Sequence, residues 1–360
     1  MTNLNDTRIC LVPHLSGIGG MVSFQAKLAQ GLSARGVDVT YDLKDEPYEA
    51  VLVIGGTRGL WKLREARKRG ARIVQRLNGM NWVHRVRTDH GKLRTGVRHY
   101  LRSEYGNLIL SVIRSRVADR IVYQSQFSKS WWERVRGDTQ VPNSIVYNSV
   151  DLNLYSPEGP NQRPDDSVRI LMVEGSLMGG YEMGLDAALQ LAQGLVDSND
   201  RRRSEMVELQ VVGRVSPDVR EKWERRVSLK SMPSNLKLIW QGEVSQTQIP
   251  EIDRSAHILY SADVNAACPN SVIEAQACGL PVVAFDTGAL SELVKGDAGR
   301  VVPYGSDVWR LEPPDVQALV TAAREIMEDQ PRFRRAARTR AEAEFGLDMM
   351  VEAYLHALVG

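Results

Sequence analysis

Residues 269–294 read PNSVIEAQACGLPVVAFDTGALSELV, and this stretch orders the reading of the whole chain. Asn270 and Ser271 stand where a short helix begins. The free backbone N–H groups of such a start, Val272 included, favour an anion such as a diphosphate. Glu274 lies one turn further along. Gly279 and Pro281 stop the helix, the run Val282, Val283, Ala284, Phe285 reads as a buried strand, and Gly288 opens a second turn before Glu292. The pattern predicts two clusters of backbone N–H groups facing one crevice. A Ser-x-x-Glu capping box formed by Ser271 and Glu274 is the purely structural reading of the same residues.

Working outward, apolar strand-like runs alternate with helical patterns: RICLV, AVLVIGG, ARIVQRL, DRIVYQS and SIVYNSV, then RILMVEG, ELQVVG, LKLIWQG, HILYSA, PVVAFD and RVVPY. Such alternation predicts an α/β fold with mainly parallel sheets. Between the two series the segment SPEGPNQRPDDS, rich in Pro, Asn and Asp, reads as a linker. A chain of 360 residues exceeds what one core usually serves, so two domains are expected, 1–155 and 168–335, joined by 156–167. The first strand runs into HLSGIGGMVSFQAKLAQGLSARG, where Gly17, Gly19 and Gly20 precede a helix with apolar positions Met21, Phe24, Leu28 and Leu32. Glycines at a helix start let a phosphate approach the backbone, although the turn itself also calls for glycine.

These pieces together resemble glycosyltransferase family 4, the glycosyl transferases group 1, retaining enzymes of the GT-B fold. The resemblance implies two Rossmann-like domains with parallel sheets facing a cleft, the first on the acceptor side and the second binding a nucleotide sugar. It implies that the helix start at Asn270, Ser271 and Val272 receives the donor diphosphate, that Glu274 holds the ribose, and that the loop Gly17, Gly19, Gly20 lies near the donor phosphates. The segment VYNSVDLNLYSP resembles the family's connector, and the closing helix within 336–360 resembles the tail that crosses back to the first domain.

The donor motif departs from the family pattern at several positions. In VEGSLMGGYEMG, Gly175 is followed by Ser176 where the family has arginine, and Met183 stands where it has lysine. Ala266 occupies the place of the first of two glutamates spaced eight apart, and Asn78 precedes Gly79 where a His-Gly pair is frequent. Either charge for a leaving diphosphate comes from elsewhere, with Arg214 after Gly213 the candidate in the second domain and Arg76 or Arg58 in the first, or the standard donor is not used. Asn78 and His84 are the candidates for polar contact with the transferred sugar, although a histidine so placed is more often a local hydrogen-bond partner. No side chain qualifies as a nucleophile, so the resemblance leaves the departing phosphate itself to deprotonate the acceptor.

Net charge is +2, yet the span from Arg58 to Arg136 carries 20 Lys or Arg against 5 Asp or Glu. With Trp61, Trp82, Tyr100 and Tyr105 interspersed, this block over 58–136 suits an anionic membrane surface, and suits nucleic acid less well. Neither a membrane span nor a signal peptide is read, and Cys10, Cys268 and Cys278 are too few and too irregular for a disulfide framework or a zinc site. The expected setting is the cytoplasm, peripheral to the inner face of the membrane. No Asp-x-Asp motif and no metal-ligand spacing occurs, so neither metal nor other cofactor is implied.

Two functions follow from different classes. One is a metal-independent retaining glycosyltransferase moving a sugar from a nucleotide-diphosphate sugar to a hydroxyl of a lipid-linked or saccharide acceptor. The other is a GT-B-like binding or scaffold protein that has lost catalysis, favoured by Ser176, Met183 and Ala266. A sugar-nucleotide epimerase of the same fold fits the connector and the CGLPVVAFDTG run less well.

Overall fold

A computed structural model describes residues 7–17, 19–86, 93–177, 184–196, 206–228 and 233–360. Met183 and part of the basic block, 87–92, lie outside the described residues. Two compact units emerge, one of residues 1–149, 309–311 and 347–360, the other of 150–308 and 312–346.

The first unit runs β1 (Arg8–Val12), α1 (Gly20–Ser33), β2 (Asp38–Thr40), β3 (Ala50–Ile54), α2 (Leu60–Lys68), β4 (Arg72–Leu77), α3 (Val83–Val86), α4 (Leu93–Arg116), β5 (Arg120–Tyr123), α5 (Gln126–Arg136) and β6 (Asn143–Ile145). Its six strands pair in parallel in the order β2-β1-β3-β4-β5-β6. Helices cover both faces, which is why β3 is buried at every residue and reads as a continuous apolar run. On one face α1 contributes Phe24, Leu28 and Leu32 to the core, whereas Met21, expected on the same stripe, is 40% exposed. On the other face Leu63, Ile113, Trp131 and Trp132 form a second core.

The second unit contains β7 (Ser167–Leu177), α6 (Gly184–Val196), β8 (Met206–Val215), α7 (Pro217–Val227), β9 (Leu236–Gly242), α8 (Ile249–Arg254), β10 (Ile258–Ser261), α9 (Asn270–Ala277), β11 (Val282–Phe285), α10 (Leu290–Leu293), β12 (Gly299–Val302), α11 (Val316–Glu328) and α12 (Gln330–Glu344). A last helix, α13 (Leu347–Val359), belongs to the first unit. The second sheet is also six-stranded and parallel, in the order β12-β11-β10-β7-β8-β9. That is the doubly wound order of dinucleotide-binding sheets, with its reversal between β7 and β10. Two parallel α/β sheets match the fold expected from the alternating runs.

Two boundaries differ from the sequence reading. Residues 156–167 are not a free linker but part of the second unit. Arg254 donates to the carbonyls of Ser156 and Pro160, and Arg169 donates to Gln162, so the Pro-rich segment is laced to α8 and β7. The tail is two helices rather than one. Arg338 and Arg340 tie α12 to carbonyls of Tyr155, Ala277 and Glu292, while α13 packs Tyr354 against Phe24 at 5.1 Å in the first unit.

Candidate active site

In open α/β sheets ligands settle outside the carboxyl ends of the strands where the order reverses, which here means the ends of β7 and β10. The β7–β8 pairing continues to the register partners Ser176 and Arg214 after a shift between Val173 and Ser176. Gly213 makes this possible: its φ is +136°, and a Cβ there would stand 1.8 Å from the Glu174 carbonyl oxygen. Gly175 and Ser176 are consequently exposed at the strand end, and a Cβ on Gly175 would meet nothing within 4 Å. The start of α6 closes on the same place, since a Cβ on Gly184 would lie 2.4 Å from that of Ala262, just beyond β10.

The predicted helix start is α9. Its N-cap is Pro269, which makes no side-chain cap bond, so the helix start presents the positive end of its dipole at the first turn, Asn270 to Val272. A Ser271 cap is therefore not the arrangement found. Glu274 sits one turn in and is 8% exposed. Its charge reaches Asp253 on α8, whose carboxyl burial and the Glu274 charge push well above the ordinary carboxylate range.

Electrostatically the crevice is unlike a typical phosphate site. Glu174 at the end of β7 and Asp263 beyond β10 are both partly buried, and among the described residues neither carboxyl has a hydrogen-bond or ion-pair partner. Burial raises both from their ordinary range, and the Asp263 charge raises Glu174 further. Arg214 is engaged: its Nε and Nη2 each bond Glu243 at 3.0 Å. Asn265, buried with φ +55° in the same loop, leaves its side-chain NH2 without a hydrogen-bond partner among the described residues. Sequence reasoning missed Glu174, Asp263 and Asn265, although polar residues near the carboxyl ends of strands were the available signal.

The first unit holds the remaining candidates. Gly17 and Gly19 have φ of +96° and +142°, a Cβ on either would meet nothing within 4 Å, and α1 begins at Gly20 with no side-chain cap. The loop before them is fixed by Gln25, which accepts from the Leu15 N–H and donates to the Pro13 carbonyl. Asn78 offers its backbone carbonyl to Trp132 Nε1 at 2.6 Å. His84 is corrected from sugar contact to local partner: its side chain is 2% exposed, and Nε2 meets Glu104 at 2.9 Å. Glu104 also accepts two bonds from Arg85, and this fork, with His84, holds its carboxyl down to about 2. Arg76 is no phosphate ligand either, being buried against the Phe24 ring and bonded to Asn148.

Known proteins resemble the chain over part or all of its length. Residues 169–329 match the family described as Glycosyl transferases group 1. The lipopolysaccharide core biosynthesis mannosyltransferase LpsB of Rhizobium meliloti is 32% identical over 104 residues. That match spans 28% of this chain and 26% of the length of that protein. Sucrose-phosphate synthase from Thermosynechococcus elongatus superposes with a TM-score of 0.73 at 15% identity, covering 98% of each chain. HepE of Anabaena, solved with UDP and glucose, gives 0.64 at 16% identity over 98% of this chain and 99% of its own. The fold is that of the GT-B glycosyltransferases.

Proposed function

We propose that the protein, whose residues 169–329 match the family of glycosyl transferases group 1, transfers a sugar from a nucleotide-diphosphate sugar to a saccharide or lipid-linked hydroxyl, with retention and without a metal. The observation that supports this most is the uncapped start of α9 beside the reversal point of the second sheet. Amides of Asn270, Ser271 and Val272 would take the diphosphate, Glu274 the ribose hydroxyls, and the departing phosphate the acceptor proton. Calorimetric titration with UDP, GDP, ADP and TDP in EDTA tests the reading. One nucleotide should bind, and Glu274→Ala should weaken it by about 1–3 kcal/mol, the size of a hydrogen bond to a charged group. Unchanged affinity in the variant would remove Glu274 from the site.

Ser176 in place of arginine, Arg214 committed to Glu243 and the carboxyl pair Glu174–Asp263 favour the second reading, a binding protein without turnover. It shares the nucleotide site but predicts no consumption of donor.

The acceptor side is read as peripheral to an anionic membrane. No helix among the described residues is long and apolar enough to cross one. Helix α4 instead exposes Val97, Tyr100, Leu101, Tyr105 and Leu108 at helical spacing, with Arg98 and Arg102 exposed beside them. An amphipathic face of this kind lies in the headgroup layer. The basic block contributes less than its count suggests, because Arg76 and Arg114 are interior and Arg67, Arg69 and Arg85 are paired with carboxylates. Cosedimentation with phosphatidylglycerol vesicles should fall about tenfold in Leu101→Asp, given about 1.5–3 kcal/mol for burying one leucine. Equal sedimentation of the variant would exclude this face.

A further inference from the structure

The nucleotide reading makes no use of a cavity of about 410 Å³ in the first unit, bounded by Met80, Asn81, Trp82, Trp131, Arg134 and Trp309 among others. Its volume is that of a small-molecule site. Trp131 is 4% exposed and forms the floor. Trp309 stands on it with ring centroids 5.1 Å apart at 62°, and Trp82 meets Trp309 at 5.1 Å and 69°. Phe127 backs Trp309 at 6.4 Å and 21°, which fixes the plane of its ring.

Charge at the rim is uneven. Arg85 is neutralised by the fork it makes with Glu104. Arg134 lies with its guanidinium 5.5 Å over the Trp309 ring, exposed, and among the described residues it pairs with no carboxylate. The backbone N–H and carbonyl of Asn81 are held by Asn107, so its exposed side chain, with only a 3.4 Å contact to Asn107 Oδ1, is left at the rim to meet a ligand hydroxyl. The steep angles matter as well. Trp82 and Trp309 pack edge to face at 69°, so their indoles form a corner of apolar ring surface against which the C–H-bearing face of a pyranose can pack.

We propose that this cavity binds an anionic saccharide, its ring seated in the corner of Trp82 and Trp309 and its carboxylate or phosphate on Arg134. The proposal rests on the transferase reading in one respect, that such a saccharide is the acceptor; the site itself is independent of the nucleotide. Arginine meets either anion through two parallel N–H bonds, so both sources share one chemistry.

Tryptophan fluorescence titration with hyaluronan tetrasaccharide (carboxylate), glucose 6-phosphate (phosphate), maltotetraose (neutral) and octauridylate tests it on the full chain. At least one anionic sugar should bind tenfold or more tightly than maltotetraose, and which one does identifies the anion. Arg134→Gln, at an exposed position that leaves folding intact, should reduce the anionic ligand to the affinity of the neutral one, and Trp82→Phe should weaken it at least threefold. Nucleoside diphosphate titrations of both variants should match the unaltered protein. The proposal is overturned if no sugar binds, if charge makes no difference, if Arg134→Gln leaves the anionic affinity unchanged, or if octauridylate binds most tightly. Sugar binding without nucleotide binding would leave this site standing and remove the transferase reading instead.

Discussion

Replacing Gly213 with alanine is expected to lower stability by about 2–6 kcal/mol and to abolish nucleotide binding. Two effects add. A side chain held at φ +136° is strained by about 1–3 kcal/mol, and forcing a methyl into filled space costs about 1–3 kcal/mol more. Here the space is occupied by backbone, since the new Cβ would lie 1.8 Å from the Glu174 oxygen and 2.9 Å from its carbonyl carbon. Neither atom can move without parting β7 from β8, and that parting would displace Gly175 and Ser176 at the mouth of the crevice. Gly242→Ala is the matched control, with φ +74° but nothing within 4 Å of the added Cβ; it should cost only about 1 kcal/mol. Urea denaturation of the pair separates clash from strain.

Trp132→Ala should cost about 3–5 kcal/mol, the range for emptying a buried aromatic site. Trp132 is fully buried, and its Nε1 donates to the Asn78 carbonyl at 2.6 Å, so the cavity would open beneath the loop that carries Asn78 and Gly79. Its neighbour Trp131 presses on the same loop: a Cβ on Gly79 would stand 2.7 Å from the Trp131 ring. Glycine at 79 thus answers to packing as well as to any ligand. Trp61→Ala, at a side chain 66% exposed, should change stability by no more than about 0.5 kcal/mol in the same denaturation experiment.

Local pattern carried much of the fold. Apolar runs such as AVLVI and PVVAF could only be buried strands, and the Pro-Asn-Ser start with its Gly-Leu-Pro stop places α9 from Asn270 to Ala277. What sequence hid was contact across distance. Nothing near Arg114 announces that its guanidinium will be buried against Tyr123 and Gly137, so a count of basic residues overstated the basic surface. Gly213 carried no local signal, because its constraint is the Glu174 backbone on the neighbouring strand. The Pro-rich stretch 156–167 read as a linker because its anchors, Arg254 and Arg169, lie elsewhere in the chain. Trp309 sits in sequence between stretches of the second unit, and only the fold places it among the aromatics of the first.

His84 and Arg214 illustrate the same limit in the candidate site. Each is a residue type able to serve a sugar or a phosphate, and each is instead held by a glutamate, Glu104 and Glu243 respectively. Carboxylate partners at such separations leave no periodic trace. The Glu174–Asp263 pair is the converse: two acids brought together at the strand ends where the family pattern leads one to expect cations.

The central claim is turnover of a nucleotide sugar, and the most direct measurement is release of nucleoside diphosphate from UDP-, GDP-, ADP- and TDP-sugars in EDTA, with a saccharide acceptor mixture present. One donor should be consumed, with sugar appearing on acceptor in equal amount, and Glu274→Ala should slow the reaction at limiting donor. A protein that binds a nucleotide but consumes none of the donors would contradict it and leave the second unit a binding domain.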